Sequence, residues 1–239
     1  MTWLALDTAT DRASVALQLG NGAVVEDEVT GARRHASELL PVVERLLHRA
    51  RAALSGVRGV LLSDGPGSFT GLRVGASVAK ALAHAQAVTV ATASSLMVRA
   101  AAHAADESLV LAVADALRGD VYAAAYRFAP GRVETVMAPT VWRPEALAAT
   151  GPRPDAIVGH APPEAVRVLE AWSGRPMTQA SAAWPRAALL FDLRLRVGGT
   201  AALGDVERWE PDYGRPAEAQ ARWEQTHGRP LPNSARDAC

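Results

Sequence analysis

The sequence predicts an α/β protein of two similar lobes, and three observations carry that expectation. A strand, acidic loop, strand order occurs twice, about half a chain apart. Amphipathic helical segments lie between and after the two copies. The 239 residues, 49% of them hydrophobic, are enough to bury a sizeable core.

The first copy opens with Trp3-Leu4-Ala5-Leu6, an apolar run that reads as a short buried strand ending at Asp7. The loop Thr8 to Arg12 leads into a strand over Ala13 to Leu19. Asn21-Gly22 marks a hairpin turn, and a third strand follows over Ala23 to Val29. The second copy repeats the order with Leu109 to Val113, the polar loop Asp115 to Asp120, and Val121 to Tyr126. A helix is expected from Ser37 to Leu54, with Leu39, Val43, Leu46, Leu47, Ala50 and Leu54 on one face and charges opposite. Ser37 and Glu38 suit its first turn, where Pro41 is also tolerated. Val60 to Leu62 and Ala156 to Gly159 read as strands, and Trp184 to Arg196 as a helix with Pro185 at its first position.

Composition narrows the function classes. Twenty-five basic residues balance 25 acidic ones, so no overall positive field draws the chain to phosphate backbones, and an RNA partner needs help from another subunit. The sole cysteine, Cys239, excludes an intrachain disulfide and a thiolate metal cluster, and a reducing cytoplasm is the expected home. The start lacks a basic, apolar leader. The Ala-rich stretch from Ala76 to Ala114 is broken by too many polar groups to span a bilayer.

The run Ser63-Asp64-Gly65-Pro66-Gly67-Ser68-Phe69-Thr70-Gly71-Leu72-Arg73-Val74-Gly75 joins a strand to a helix that reaches about Gln86. No Gly-Lys-Ser/Thr ending follows, so it is not a P-loop. Gly65, Gly67, Ser68 and Thr70 admit two readings: a tight turn that demands glycine, or backbone and hydroxyl donors that hold an anion at a helix N-terminus. In the helix, Gly71, Gly75, Ala79 and Ala83 make a stripe of minimal side chains flanked by Val74, Val78 and Leu82. Glycine inside a helix costs about 1 kcal/mol relative to alanine, so the stripe implies close packing, on another subunit or on the chain's own sheet. Asp7 and Asp115 end equivalent strands. They would flank a cleft for ATP or ADP with magnesium, or each would cap the amides of its own loop. Six scattered histidines, with Leu39 four residues after His35, include no metal-binding pair, and a Gly-x-Ser-x-Gly elbow is absent.

These residues resemble the TsaB (YeaZ) family over most of the chain. The resemblance is carried by Leu6-Asp7-Thr8-Ala9-Thr10, the His35 to Pro41 entry into the first helix, and above all Gly65 to Gly75. Ser94-Ser95-Leu96-Met97, Asp115-Ala116 and Gly119-Asp120-Val121-Tyr122 add to it in the right order. The resemblance implies the actin-like, sugar-kinase ATPase fold with two RNase H-like lobes. TsaB proteins are similar to TsaD, which transfers a threonylcarbamoyl group from its adenylate to N6 of the adenosine beside the tRNA anticodon. TsaD carries a metal-binding histidine pair that this chain lacks, so the resemblance implies a non-catalytic partner that binds TsaD, with no catalytic residue, metal or intrinsic cofactor. TsaE, a small ATPase, joins the assembly, and tRNA is reached indirectly. Family pairing through the first two helices implies an interface at Leu39, Val43, Leu46, Gly71, Val74, Gly75 and Val78, which a homodimer could also use when TsaD is absent. On that reading Gly75→Leu leaves the monomer folded and weakens pairing. The alternative is an autonomous magnesium-dependent nucleotide-binding or hydrolysing protein.

The lobes are read as residues 1–102 and 103–204, with 205–222 packing back on the first and 223–239 as a mobile tail. A helical turn over Ala217 to Trp223, with Trp223 as an anchor, falls at this end. The family's Pro-x-Tyr-Leu-Arg stands here as Pro211-Asp212-Tyr213-Gly214-Arg215.

Overall fold

The computed structural model describes residues 1–31, 35–179 and 184–214. Arg215, Trp223 and the predicted tail lie outside them. The first lobe begins as read, with β1 (Thr2–Asp7), β2 (Arg12–Gln18) and β3 (Val24–Thr30) in an antiparallel meander. Asn21 turns the hairpin by accepting the Ala23 N–H, and Gly22 takes a φ of +87° that a side chain would resist.

Helix α1 (His35–Arg49) follows, then β4 (Val57–Ser63), α2 (Phe69–Gln86) and β5 (Thr89–Ala93), both strands parallel to β1 or its neighbour. Helix α1 stops short of the expected Leu54. Arg51 turns left-handed at φ +51°, the Ala52 N–H reaches back to the Leu47 carbonyl, and Leu54 opens a separate short turn. Helix α2 starts where Ser68 accepts the Gly71 N–H.

Helix α3 (Ser95–Ala101) leads to the second lobe. This contains β6 (Leu109–Asp115), β7 (Val121–Ala129), β8 (Arg132–Trp142), α4 (Pro144–Thr150), β9 (Ala156–Gly159), α5 (Pro163–Ser173) and β10 (Met177–Thr178). Helix α6 is only Leu189–Arg194, well inside the predicted 184–196 segment. The amides ahead of it are drawn to the first lobe: Ala187 N–H donates to Ser14 Oγ at 2.9 Å and Ala188 N–H to Glu26 Oε1 at 3.4 Å. Strand β11 (Ala201–Ala202) then returns to the first sheet beside β5.

The sheets repeat one plan. Their orders are β11-β5-β4-β1-β2-β3 and β10-β9-β6-β7-β8, so an antiparallel trio followed by parallel strands occurs in each. Side-chain alternation explains the layering. On the outer face of the first sheet Leu4, Leu6, Val15, Leu17, Val60 and Leu62 meet α1 and α2. On its inner face Ala5, Ala16, Leu61 and Ala91 join α3, α6 and the inner residues of β6 and β7 in one core shared by the lobes. Small inner side chains let two sheets close on two thin helices. Each fully buried leucine or phenylalanine here contributes roughly 1.5–3 kcal/mol. A third core lies between the second sheet and α4 and α5.

Candidate functional site: strand-end acids, glycine-rich loop and first-helix groove

Asp7 ends β1 fully buried. Its Oδ1 accepts the Ala9 N–H at 3.1 Å, while Oδ2 has no hydrogen-bond partner. Burial pushes its pKa up to about 6, against the opposing pull of the nearby Ser63 hydroxyl, the Ala9 amide and the charge of Arg99. Arg99, on α3, is itself 6% exposed, and burial lowers its pKa to about 10 while Asp7 resists. Asp115 ends the equivalent β6 and accepts the Leu117 N–H at 2.7 Å. Both acids therefore cap amides of their own loops, the local of the two roles open to them from sequence.

The glycine-rich loop is wedged into the fold. Ser68 N–H donates to Ala9 O at 2.7 Å, Ser95 N–H to Gly65 O at 2.8 Å, and Ser94 Oγ to Gly65 O at 3.1 Å. A Cβ on Gly67 would overlap Ala9, and one on Gly65, whose φ is +114°, would overlap the Asp212 carbonyl. Ser68 spends its hydroxyl capping α2, and Thr70 is exposed in the first turn of the helix. These glycines serve close packing. Ser68 and Ser95 spend their amides on the chain's own carbonyls.

Residues 203–214 form a strap across the loop. Asp212 N–H donates to Asp64 O at 2.8 Å, Lys80 Nζ donates to Glu207 O at 3.0 Å and Glu210 Oε1 at 3.1 Å, and the Tyr213 ring packs on Phe69 with centroids 4.7 Å apart. The Arg73 guanidinium lies over the same Phe69 ring, 4.8 Å from its centre. Tyr122 of the second lobe donates to Tyr213 O at 3.4 Å. Gly214, which stands where the family pattern has leucine, has a φ of +69°, and a Cβ there would lie 2.5 Å from Tyr122 Cε1 and 2.9 Å from Pro66 Cβ. Through these contacts residues 207–213 lie against the glycine-rich loop and α2.

The predicted interface residues are mostly inside the molecule. Leu39, Val43 and Leu46 are buried in the first lobe's outer core, Gly71, Gly75 and Val78 are buried, and Val74 is half-buried. A Cβ on Gly75 would lie 2.5 Å from Thr8 Oγ1 and 3.0 Å from Leu62 Cδ1, so the small-residue stripe packs on its own sheet. Of the seven positions expected at the partner interface, six are buried within the chain and Val74 is half-buried. Beside them runs an open groove of about 540 Å³ lined by Leu40, Pro41, Val43, Glu44, Leu47 and His48 of α1, with Ala52, Leu54 and Leu82. Leu40 is 59% exposed and Leu54 40%. Leu40, three residues before Val43 and seven before Leu47, lies at the exposed edge of the apolar stripe of α1, and that exposure is the signal. Among the described residues no group of three or more His, Cys, Asp or Glu could hold a metal, and no helix is long and apolar enough to cross a membrane.

Two sheets of matching order around shared inner helices, each with an acid ending its first strand, define a protein of the actin-like, sugar-kinase ATPase fold with two RNase H-like lobes. A family model described as TsaD, tRNA N6-adenosine threonylcarbamoyltransferase, matches residues 26–171. The chain is 33% identical over 138 residues to the tRNA threonylcarbamoyladenosine biosynthesis protein TsaB of Bacillus subtilis, covering 57% of this chain and 60% of that one. It is 37% identical over 124 residues to TsaB of Haemophilus influenzae, covering 51% and 52%. The matched part thus spans little more than half the length of these curated relatives. The solved structure of YeaZ from Pseudomonas aeruginosa superposes with a TM-score of 0.68 at 33% identity, covering 81% of this chain and 90% of that one. A second structure, titled by similarity to the peptidase YeaZ from Pseudomonas aeruginosa, gives 0.72 at 32% identity, covering 90% and 99%. The chain belongs to the TsaB (YeaZ) family.

Proposed function

We propose that this chain is a non-catalytic subunit in tRNA threonylcarbamoyladenosine biosynthesis, which docks TsaD through the groove on α1 and activates it for transfer to N6 of the adenosine beside the anticodon. The observation that carries the reading is the groove itself. The groove exposes Leu40 beside Leu47, Leu54 and Leu82, and soluble surfaces seldom leave such a patch without a partner. The family membership supports the pathway. TsaE joins the assembly in the cytoplasm, and tRNA is held chiefly by the other subunits, in keeping with the balanced charge of this chain.

The test is threonylcarbamoyl incorporation into unmodified tRNA by cognate TsaC, TsaD and TsaE with ATP, threonine and bicarbonate. Product is expected only when this chain is added. Equal product without it would remove the proposed role.

A further inference from the structure

The strap over the glycine-rich loop crosses a carboxyl that has no counter-ion. Its backbone runs directly over Asp64 and Gly65: the Asp212 N–H donates to Asp64 O at 2.8 Å, and a Cβ on Gly65 would overlap the Asp212 carbonyl. Asp64 is half-buried there. Its carboxyl takes the Thr92 hydroxyl of β5, and Tyr126 of β7 and Asp212 of the strap both stand within reach of its charge. Asp212 is the charged member of that set, and it is itself an acid. Exposed, it gives Oδ1 to the Gly214 N–H at 2.9 Å. Among the described residues no ion pair reaches either carboxylate. The strap's remaining ties are Lys80, the ring pair of Tyr213 and Phe69, and the Tyr122 hydroxyl. His84 of α2 adds a weaker one, 3.8 Å from the Glu207 carboxylate, which it attracts only when protonated.

Burial, joined by the charge of Asp212, raises the Asp64 pKa to about 6 against the pull of the Thr92 hydroxyl. Lifting the strap would return water to Asp64 and take Asp212 away, so the pKa would fall back toward the ordinary carboxylate value. The closed strap is therefore the form that binds the extra proton. Its advantage is full below about pH 4, declines as pH rises toward 6, and is gone above that. We propose that residues 207–213 form a latch governed by Asp64: while this carboxyl is neutral the strap stays closed over the glycine-rich loop, and once it is ionised, repulsion from Asp212 and the pull of water loosen it. Loosening frees Tyr213 from Phe69 at the start of α2 and from Tyr122, a tie between the lobes. The latch is independent of docking through α1.

The experiment follows amide exchange by NMR in the full chain from about pH 4.5 to 7.5, with intrinsic exchange rates divided out, for wild type, Asp64→Asn and His84→Gln. The Asp212 amide reads the strap, and the Leu61 amide, in the middle of the first sheet, reads opening of the whole fold. In wild type, Asp212 is expected to be less protected than Leu61 at every pH, with its protection falling roughly tenfold across the range. Asp64→Asn should hold the high protection at both ends, and His84→Gln should keep most of the fall. Protection at Asp212 that does not change with pH would overturn the latch. So would a fall that persists in Asp64→Asn, or one that disappears in His84→Gln, since either assigns the proton to another group. Equal protection at Asp212 and Leu61 would mean that the strap opens only when the whole fold does, and would overturn it as well.

Discussion

Asp64 and Gly75 show at the residue scale how far local chemistry reaches. Burial, aided by the charge of Asp212, raises the Asp64 pKa from 3.8 to about 6, while the Thr92 hydroxyl and the residue's own amide act the other way. The folded state thus prefers this carboxyl protonated. Its contribution to stability is present below about pH 4, falls as pH rises toward 6, and stays lost above that, at a cost of at most about 3 kcal/mol. We expect Asp64→Asn to raise unfolding stability by about 1–3 kcal/mol at pH 7.5 and to leave it unchanged near pH 3.5, as measured by urea unfolding. No gain at pH 7.5 would contradict the burial argument. Gly75→Leu would drive a side chain into Thr8 and Leu62, so we expect it to lose about 3 kcal/mol or more and to yield little folded monomer by circular dichroism. A soluble, wild-type-like monomer would restore the stripe as an external face. Sequence showed that something packs tightly on Gly71 and Gly75 but not which surface, because spacing on a helix defines a face without naming its neighbour. Arg99 was equally hidden: in an Ala-rich helix it reads as a last-turn charge, and only the tertiary fold sets it beside Asp7.

At the scale of elements, the meander β1 to β3, the loop into α2 and the second copy β6 to β7 were legible because alternation, hairpin glycine and the Ser68 cap are all local signals. Strand β8 was not. Pro139 interrupts its pattern, and the strand accommodates it at the sheet edge, where Ala138 and Pro139 together oppose Ala124. The partners of the strap were hidden for a different reason. Its contacts reach across the chain from Lys80 to Glu210 and from Asp64 to Asp212, and no periodicity records them. Lys80 is the only lysine in a chain that otherwise uses arginine, and it places one compact charge between a carbonyl and a carboxylate. Because Glu210 is exposed, we expect Lys80→Met to cost no more than about 1 kcal/mol in global stability. It should nonetheless speed hydrogen exchange at the Asp212 amide, which depends on the strap staying in place. Unchanged exchange there would show that the ring pair of Phe69 and Tyr213 holds the strap alone.

For the whole molecule, the decisive feature is that the lobes share a core and are clasped at their edges. Glu26 receives Arg186, Ser14 Oγ and the Ala188 amide, Arg194 lies 4.3 Å over the Trp3 ring, and the strap ties Tyr122 to the first lobe. An actin-like fold held this way presents a fixed outer face, and on that face the groove of α1 is an open apolar feature. The duplication that defines the fold was visible in sequence as a repeated strand, loop and strand. The groove was not, since it forms only when the end of α2 at Leu82 and the turn at Leu54 come alongside α1. Its role is tested most directly by the affinity of the full chain for cognate TsaD, compared between wild type and Leu40→Asp by calorimetry. Leu40 is exposed, so the variant keeps its core, and a loss of roughly 100-fold is expected. Equal affinity in the two proteins would contradict docking through this groove.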